Sequence, residues 1–474
     1  MTATKRNGNV WAKVLVGVVG AAAAIWIIVT SLGASATGAW QAYAASLRAK
    51  GQPLTFAEIE SRRALIPDDQ NSARVIESLT AALAEQRGGA ITLNSLVGTK
   101  EAGDVFAGLR KSQIASGREF LSKHSDILAK LEKIHDMPSG RFSVQYDKVN
   151  PLATLLPHVD HLRQASKLLR LSSTIHLVDA DRATALREFE LQCRLAGALQ
   201  EEPTLISRLV QIAVQTLAVQ HAEALFRTGE LDAAALELIS RELNGMRTTG
   251  TLKWGLLGER AFFAETCDSM IAGTMLNADV CAVGGDCHLF PGNLLRIPTF
   301  LVRANQLRGA TMHSSLIEAV DDPKALLAAA KKIETEVPTL PKTQMLVKIL
   351  MPSLTRAIVL NTKMSAQLDC AIAAVAAERF RLAQGNLPST LEQLVPAYLS
   401  AVPIDPFDGK PLRMAKSDQG IVIYSVDENG VDDGGDLVVR KEGVKKQAPD
   451  LGFRLNNPDH RGVLIIDDPV PSDE

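Results

Sequence analysis

From Val14 to Val29 the chain carries no charged side chain, and Thr30, Ser31 and Leu32 extend the run to the length that crosses a bilayer as a helix. No other feature constrains the fold as strongly. A segment this apolar is either covered by lipid or removed. Lys5, Arg6 and Lys13 precede it, and basic flanks stay on the cytoplasmic side. Residues 1–13 are therefore expected in the cytoplasm, residues 14–32 as a single-pass anchor, and everything beyond outside the cytoplasm. Ala34 to Ala36 spell Ala-Ser-Ala, the small-residue pattern of a cleavage site, so a removed signal segment is the competing reading.

The rest must suit that compartment. Of five cysteines, Cys281 and Cys287 bracket Ala-Val-Gly-Gly-Asp, whose glycines let the chain double back, and a disulfide between them is expected. The alternative is a zinc site built from Cys267, Cys281, Cys287 and His288. Cys193 and Cys370 fall in helical patterns and read as buried thiols. The formal net charge of −2 lacks the basic excess a nucleic-acid surface needs, so nucleic acid is not an expected partner.

Aromatic residues make up only 4% of the chain, which favours helices packed through small and aliphatic residues over a β-sandwich. The fold class expected is mainly α. A juxtamembrane segment, 33–70, leads into a helical domain, 71–340; a long helix with a small α+β module follows, 341–438, and then a tail, 439–474. Within the helical domain, Leu168, Leu171, Ile175 and Val178 recur at helical spacing, as do Leu186, Phe189, Cys193 and Ala196. The stretches 179–191 and 228–240 share an acidic turn followed by an Ala-Leu-rich helix start. They resemble degenerate tetratricopeptide-type hairpins, the alternative being an irregular bundle.

Catalytic signatures are sparse. There is no Gly-x-Ser-x-Gly elbow, phosphate loop or His-Glu-x-x-His. His158 and His161 share a helix face near Asp160 but lack further ligands at helical spacing. Asp179 and Asp181 read as a turn with a helix cap, and Glu201, Glu202 and Pro203 as a helix break. The leading reading is a scaffold whose helical domain takes a protein or peptide partner. The alternative is an envelope hydrolase with a site assembled from residues far apart in sequence.

From Leu368 onward the chain resembles the C-terminal half of type II secretion major pseudopilins. Gly385 and Pro388 stand at the helix end, Leu394 to Leu399 form the following short segment, and Pro403, Asp405, Pro406, Gly409 and Pro411 form the turn that opens a small sheet. Tyr424 and Ser425 end a strand, and residues 427–436 form an acidic loop. The resemblance implies calcium in that loop. Asp427, Asn429, Asp432, Asp433 and Asp436 supply hard oxygens there, and Gly430, Gly434 and Gly435 let the backbone fold around an ion. The other reading is a solvated acidic turn. The pseudopilin leader and its Phe-Thr-Leu-Ile-Glu start are absent before Val14, so a fibre subunit is not implied. The whole arrangement, with its Trp40 to Thr55 segment, also resembles membrane-anchored bacterial envelope proteins. That likeness implies the inner membrane and periplasm but no activity.

Overall fold

The computed structural model describes residues 5–85, 109–137, 139–247, 250–275, 297–438, 440–442, 445–447 and 449–468. Cys281, Cys287 and His288 lie outside the described residues.

The apolar run sits in one unbroken helix, α1 (Lys5–Ala49). None of its most apolar window is buried inside the protein, so those side chains have no protein partner and the segment is a candidate membrane span. The last third of α1 behaves differently. Trp40, Ala44 and Leu47 are buried, and Tyr43 Oη donates to Ser314 Oγ at 2.8 Å. After a turn at Gly51, which has a positive φ of 69°, Leu54 is buried and α2 (Phe56–Glu60) begins. The Trp40 to Thr55 segment is thus the joint between the apolar helix and the body. Its clasp is Arg260, fully buried, which donates to Gln52 Oε1 at 2.6 Å, Ser314 Oγ at 2.9 Å and the Pro53 carbonyl at 2.9 Å.

The body begins with short helices, α3 (Ser72–Ser78) and α4 (Thr80–Glu85), then a two-residue strand β1 (Leu109–Arg110), α5 (Lys111–Lys123) and α6 (Ser125–Leu131). Longer helices follow: α7 (Pro157–Val178), α8 (Arg182–Gly197), α9 (Leu205–Thr228), α10 (Ala233–Gly245), α11 (Thr251–Ala272), α12 (Thr299–Ala319) and α13 (Pro323–Glu336). The acidic turns seen in the sequence are N-caps. Asp181 accepts from Thr184 N at 3.1 Å to start α8, and Asp232 from Ala235 N at 2.8 Å to start α10. A shared cap accounts for the shared pattern.

Two cores result. One gathers α3 and α6 to α10; the other gathers α11, α12 and α13, with α1 docked on α12. The 40-residue helix α14 (Met345–Gln384) joins them, its first half in the second core and its second half in the first. It too is apolar enough to cross a membrane, but 44% of its apolar window is buried inside the protein. It ends at Gly385, whose φ of 82° is the left-handed cap that glycine accepts without strain.

The C-terminal module is an antiparallel sheet in the order β2 (Arg413–Ser417), β3 (Gly420–Ser425), β6 (Leu451–Asn456), laid on the end of α14. Between β3 and β6 lies a small hairpin, β4 (Arg440–Glu442) with β5 (Lys445–Gln447). Ile421 and Ile423 of β3 and Phe453 and Leu455 of β6 point inward and are buried, the alternation expected of a sheet covered on one face. Residues 439–474, expected as a tail, therefore supply a core strand. They also supply β7 (Ile465–Ile466), which pairs in parallel with β1. The mainly α architecture with a small α+β end matches the expectation; the boundary drawn at residue 438 cuts through the sheet.

Candidate binding cleft and acidic loop

The histidines singled out in the sequence are structural. His158 and His161 are both buried in α7. His158 Nε2 lies 2.7 Å from Glu202 Oε1, and Ser207 Oγ donates to the same oxygen at 2.6 Å. The Glu201 to Pro203 break is thus a polar tie between α7 and the start of α9. Asp179 pairs with Arg118, and Asp181 serves as the cap already described.

A serine–histidine line that the sequence did not reveal runs through the first core. Ser173 Oγ bonds His221 Nε2, and His221 Nδ1 lies 2.8 Å from Gln192 Oε1. Gln192 Nε2 donates onward to Ser166 Oγ at 3.0 Å. The pattern mimics a nucleophile and its base, but Ser173, Gln192 and His221 are all buried to 1% exposure or less. Burial, with the Arg170 cation beside it, pushes the His221 ring well below its ordinary pKa, so it stays neutral. A neutral ring can donate at Nδ1 and accept at Nε2, and every polar atom in the line is then satisfied. The arrangement fastens α7, α8 and α9 together and is closed to any substrate. No spacing rule finds it, because Ser173 and His221 are 48 residues apart.

The open concavity lies where α14 passes from one core to the other. It measures about 900 Å³ and is bounded by the start of α9, the end of α10, the α12–α13 turn, one face of α14 and the loop from Tyr398 to Pro406. Leu252, Leu326, Leu368, Ile372 and Leu399 give it apolar walls; Ser240, Asn244, Asn361, Ser365 and Ser400 interleave hydroxyls and amides. Its charged lining is Arg208, Arg247 and Arg379 with Asp321 and Asp369. Arg247 pairs with Asp369, and Arg379 reaches Glu237 at 3.3 Å. Neither histidine nor glutamate lines it among the described residues. The geometry offers hydrogen bonds, apolar contact and positive charge.

The acidic loop hangs from the sheet on the far side of a buried post. Asp405 of the turn motif is fully buried, accepting from Ser425 Oγ, Val426 N and Phe407 N at 2.9, 2.9 and 3.0 Å, so the turn and the end of β3 are one unit. Beyond it, Asp427 is buried at a left-handed φ of 54°, its Oδ2 accepting from Lys363 Nζ at 3.0 Å. Asp432 accepts from Arg413 Nε at 2.9 Å and Tyr424 Oη at 3.0 Å. Asn429 Nδ2 donates to Asp433 at 3.3 Å, and Asp436 accepts from Val438 N at 3.0 Å. Two of the five expected calcium ligands therefore face cations of the chain itself. Asp427 Oδ1 and Asp450 Oδ1, however, are buried with no hydrogen-bond partner, which is what an ion would relieve. Among the described residues, no three His, Cys, Asp or Glu side chains converge as a metal group.

Comparison with protein-family models, with curated proteins and with solved structures gave no match to this chain.

Proposed function

We propose that this protein is a membrane-anchored, extracytoplasmic binding protein that holds a segment of a partner protein in the cleft beside α14. The observation that carries the reading is the lining of that cleft: apolar walls interleaved with hydroxyls, amides and arginines, the surface a peptide needs for side chains and backbone at once. The docked end of α1 supports it. Only residues 33–39 separate the apolar run from buried Trp40, on the order of 10 Å of helix. The body would stand close to the bilayer at a fixed angle, placed to meet partners at the membrane. In the acidic loop we propose a calcium ion with a structural role, on the strength of the two unpartnered carboxylate oxygens of Asp427 and Asp450. The sheet against the helix end is compatible with the pseudopilin likeness.

The test is site-specific photo-crosslinking in intact cells, with a benzophenone side chain at Ser400 on the cleft rim or at exposed Lys332 on α13 as the control. A discrete adduct from Ser400 and none from Lys332 is expected. No adduct, or the same adducts from both, overturns the reading. A reporter fused after Glu474 should be active only outside the cytoplasm, and cytoplasmic activity would overturn the compartment.

A further inference from the structure

Arg208 is 5% exposed, on the second turn of α9 at the wall of the cleft. Its Nε donates to Asn361 Oδ1 at 2.8 Å, and its Nη1 to Gln211 Oε1 at 2.6 Å and Gln215 Oε1 at 3.3 Å. All three acceptors are neutral amides. Among the described residues no carboxylate pairs with this guanidinium, and Nη2 has no hydrogen-bond partner. A buried charge without a counter-ion is costly, and proteins generally supply one. Elsewhere this chain does so: Arg461 and Arg381 share Glu378, and Arg63 pairs with Glu60. Arg260 also has no ion-pair partner among the described residues and its Nε is unpartnered, but it does not line this cleft and gives both terminal nitrogens to Gln52, Ser314 and Pro53. Arg208 is different because its unused nitrogen belongs to a side chain that lines a space of about 900 Å³.

We propose that Arg208 is the anchor for a carboxylate of the bound peptide, either its C-terminus or an acidic side chain, with the neighbouring residues seated on the apolar wall of α14. This rests on the peptide-binding reading of the cleft and names the chemistry it selects. Charge complementarity points to an anion: three arginines line the cleft against two aspartates, both of which already have a basic partner, Arg247 for Asp369 and Lys253 for Asp321. The interleaved polar groups point to a peptide. Asn244 Nδ2 and Ser365 Oγ already donate to the Ser240 and Asn361 carbonyls, but their oxygens can still accept, which a peptide N–H can use and a bare acyl chain cannot. Burial lowers the pKa of Arg208 to about 10, so the guanidinium stays charged at neutral pH.

The experiment uses the full chain in detergent micelles and two random hexapeptide libraries, one with free C-termini and one amidated, with retained peptides identified by mass spectrometry. Retention confined to the free library assigns the terminal carboxylate; enrichment of Asp or Glu in the amidated library assigns the side chain. Either supports the proposal if Arg208→Gln weakens the retained peptides about thirty-fold or more, the size expected when one partner of a buried charge pair is removed. Arg208→Lys should retain part of the binding, and Ser365→Trp, at an exposed rim position, should block it by filling the cleft with Arg208 intact. Should Arg208→Gln fail to fold, those two variants still decide. No retained peptide, peptides without carboxylates, peptides held equally by Arg208→Gln, or binding of palmitate alone each overturn the proposal. A crosslink from Ser400 alongside any of these failures leaves the cleft reading standing, and absence of the crosslink removes both.

Discussion

Glu378 of α14 is a buried carboxylate that holds the chain beyond β6, and removing its charge has a calculable effect. Glu378 is fully buried; Arg461, from the chain beyond β6, donates to Oε1 at 2.7 Å and Oε2 at 2.8 Å, and Arg381 adds bonds at 2.9 and 3.0 Å. Glu378→Gln keeps the volume and removes the charge. Arg461, 2% exposed at its side chain, is then stranded without a counter-ion. Arg381 is less affected, since Glu230 lies 3.7 Å away. Stripping one partner from a buried pair costs about 3–5 kcal/mol. With Arg381 still partly compensated the lower end applies, about 3 kcal/mol, or about 150-fold in the opening equilibrium of the module. Hydrogen–deuterium exchange of the β6 amides, with α12 amides as internal control, reads that ratio directly. Replacing both residues by methionine should recover most of the loss, because an apolar pair leaves no stranded charge. Exchange in β6 within two-fold of native for Glu378→Gln, or a double variant no better than the single, would refute the reasoning. A pH dependence follows as well. Burial alone would raise the pKa of Glu378, but the hydrogen bonds from Arg461 and Arg381 outweigh it and hold it below the ordinary 4.5. The stability it contributes is complete above that value and is lost as pH falls through the folded pKa. Native β6 should therefore open more readily below about pH 4.5, after correction for intrinsic rates, and Glu378→Gln should not show that acid dependence.

Glu188 gives the opposite sign: burial first, then the nearby Glu132 and Asp181, raise it to about 8 against the hydrogen bond with Ser172. Its contribution is complete below pH 4.5 and lost as pH rises towards 8, so Glu188→Gln should melt higher than native at pH 8 and match it at pH 5; a difference independent of pH would contradict this. Gly258→Ala places a methyl group 1.7 Å from the Pro203 carbonyl oxygen, backbone that cannot swing aside, and should cost about 2–3 kcal/mol in chemical denaturation. For Gly309→Ala the nearest atoms are those of the Phe263 ring, a side chain rather than backbone, so it should cost less; equal effects would count against the close approach of Gly258 to Pro203. Millimolar calcium should raise the melting temperature of the full chain's C-terminal module, and Asp432→Asn with Asp433→Asn should abolish the rise. Identical curves with calcium and with chelator would mean that Arg413 and Lys363 alone hold the loop.

The features legible in the sequence are those encoded over a few residues. An apolar run and the Asp181 cap each depend on neighbours within one or two turns of chain, whereas the glycine that ends α14 and the Asp405 turn were expected from the pseudopilin resemblance. Strand β6 was missed because its signal is only Phe453 and Leu455 between polar residues, too short to outweigh the look of a tail, and its stability comes from β3 and α14. The buried charges were missed for a stronger reason. Glu378 and Arg461 are 83 residues apart and Arg208 and Asn361 are 153 apart, and a charge that will be buried reads in sequence like any solvated one. The cleft extends the same argument. Ser240 is half-buried and Asn244 and Ser365 are exposed, at the spacing a water-facing side of their helices would have. A wall around a binding site and a surface in solvent therefore share one periodicity. Arg208 is the feature in the cleft that this periodicity does not account for: it is 5% exposed and matched by no carboxylate among the described residues, and the proposed peptide anchor rests on that burial.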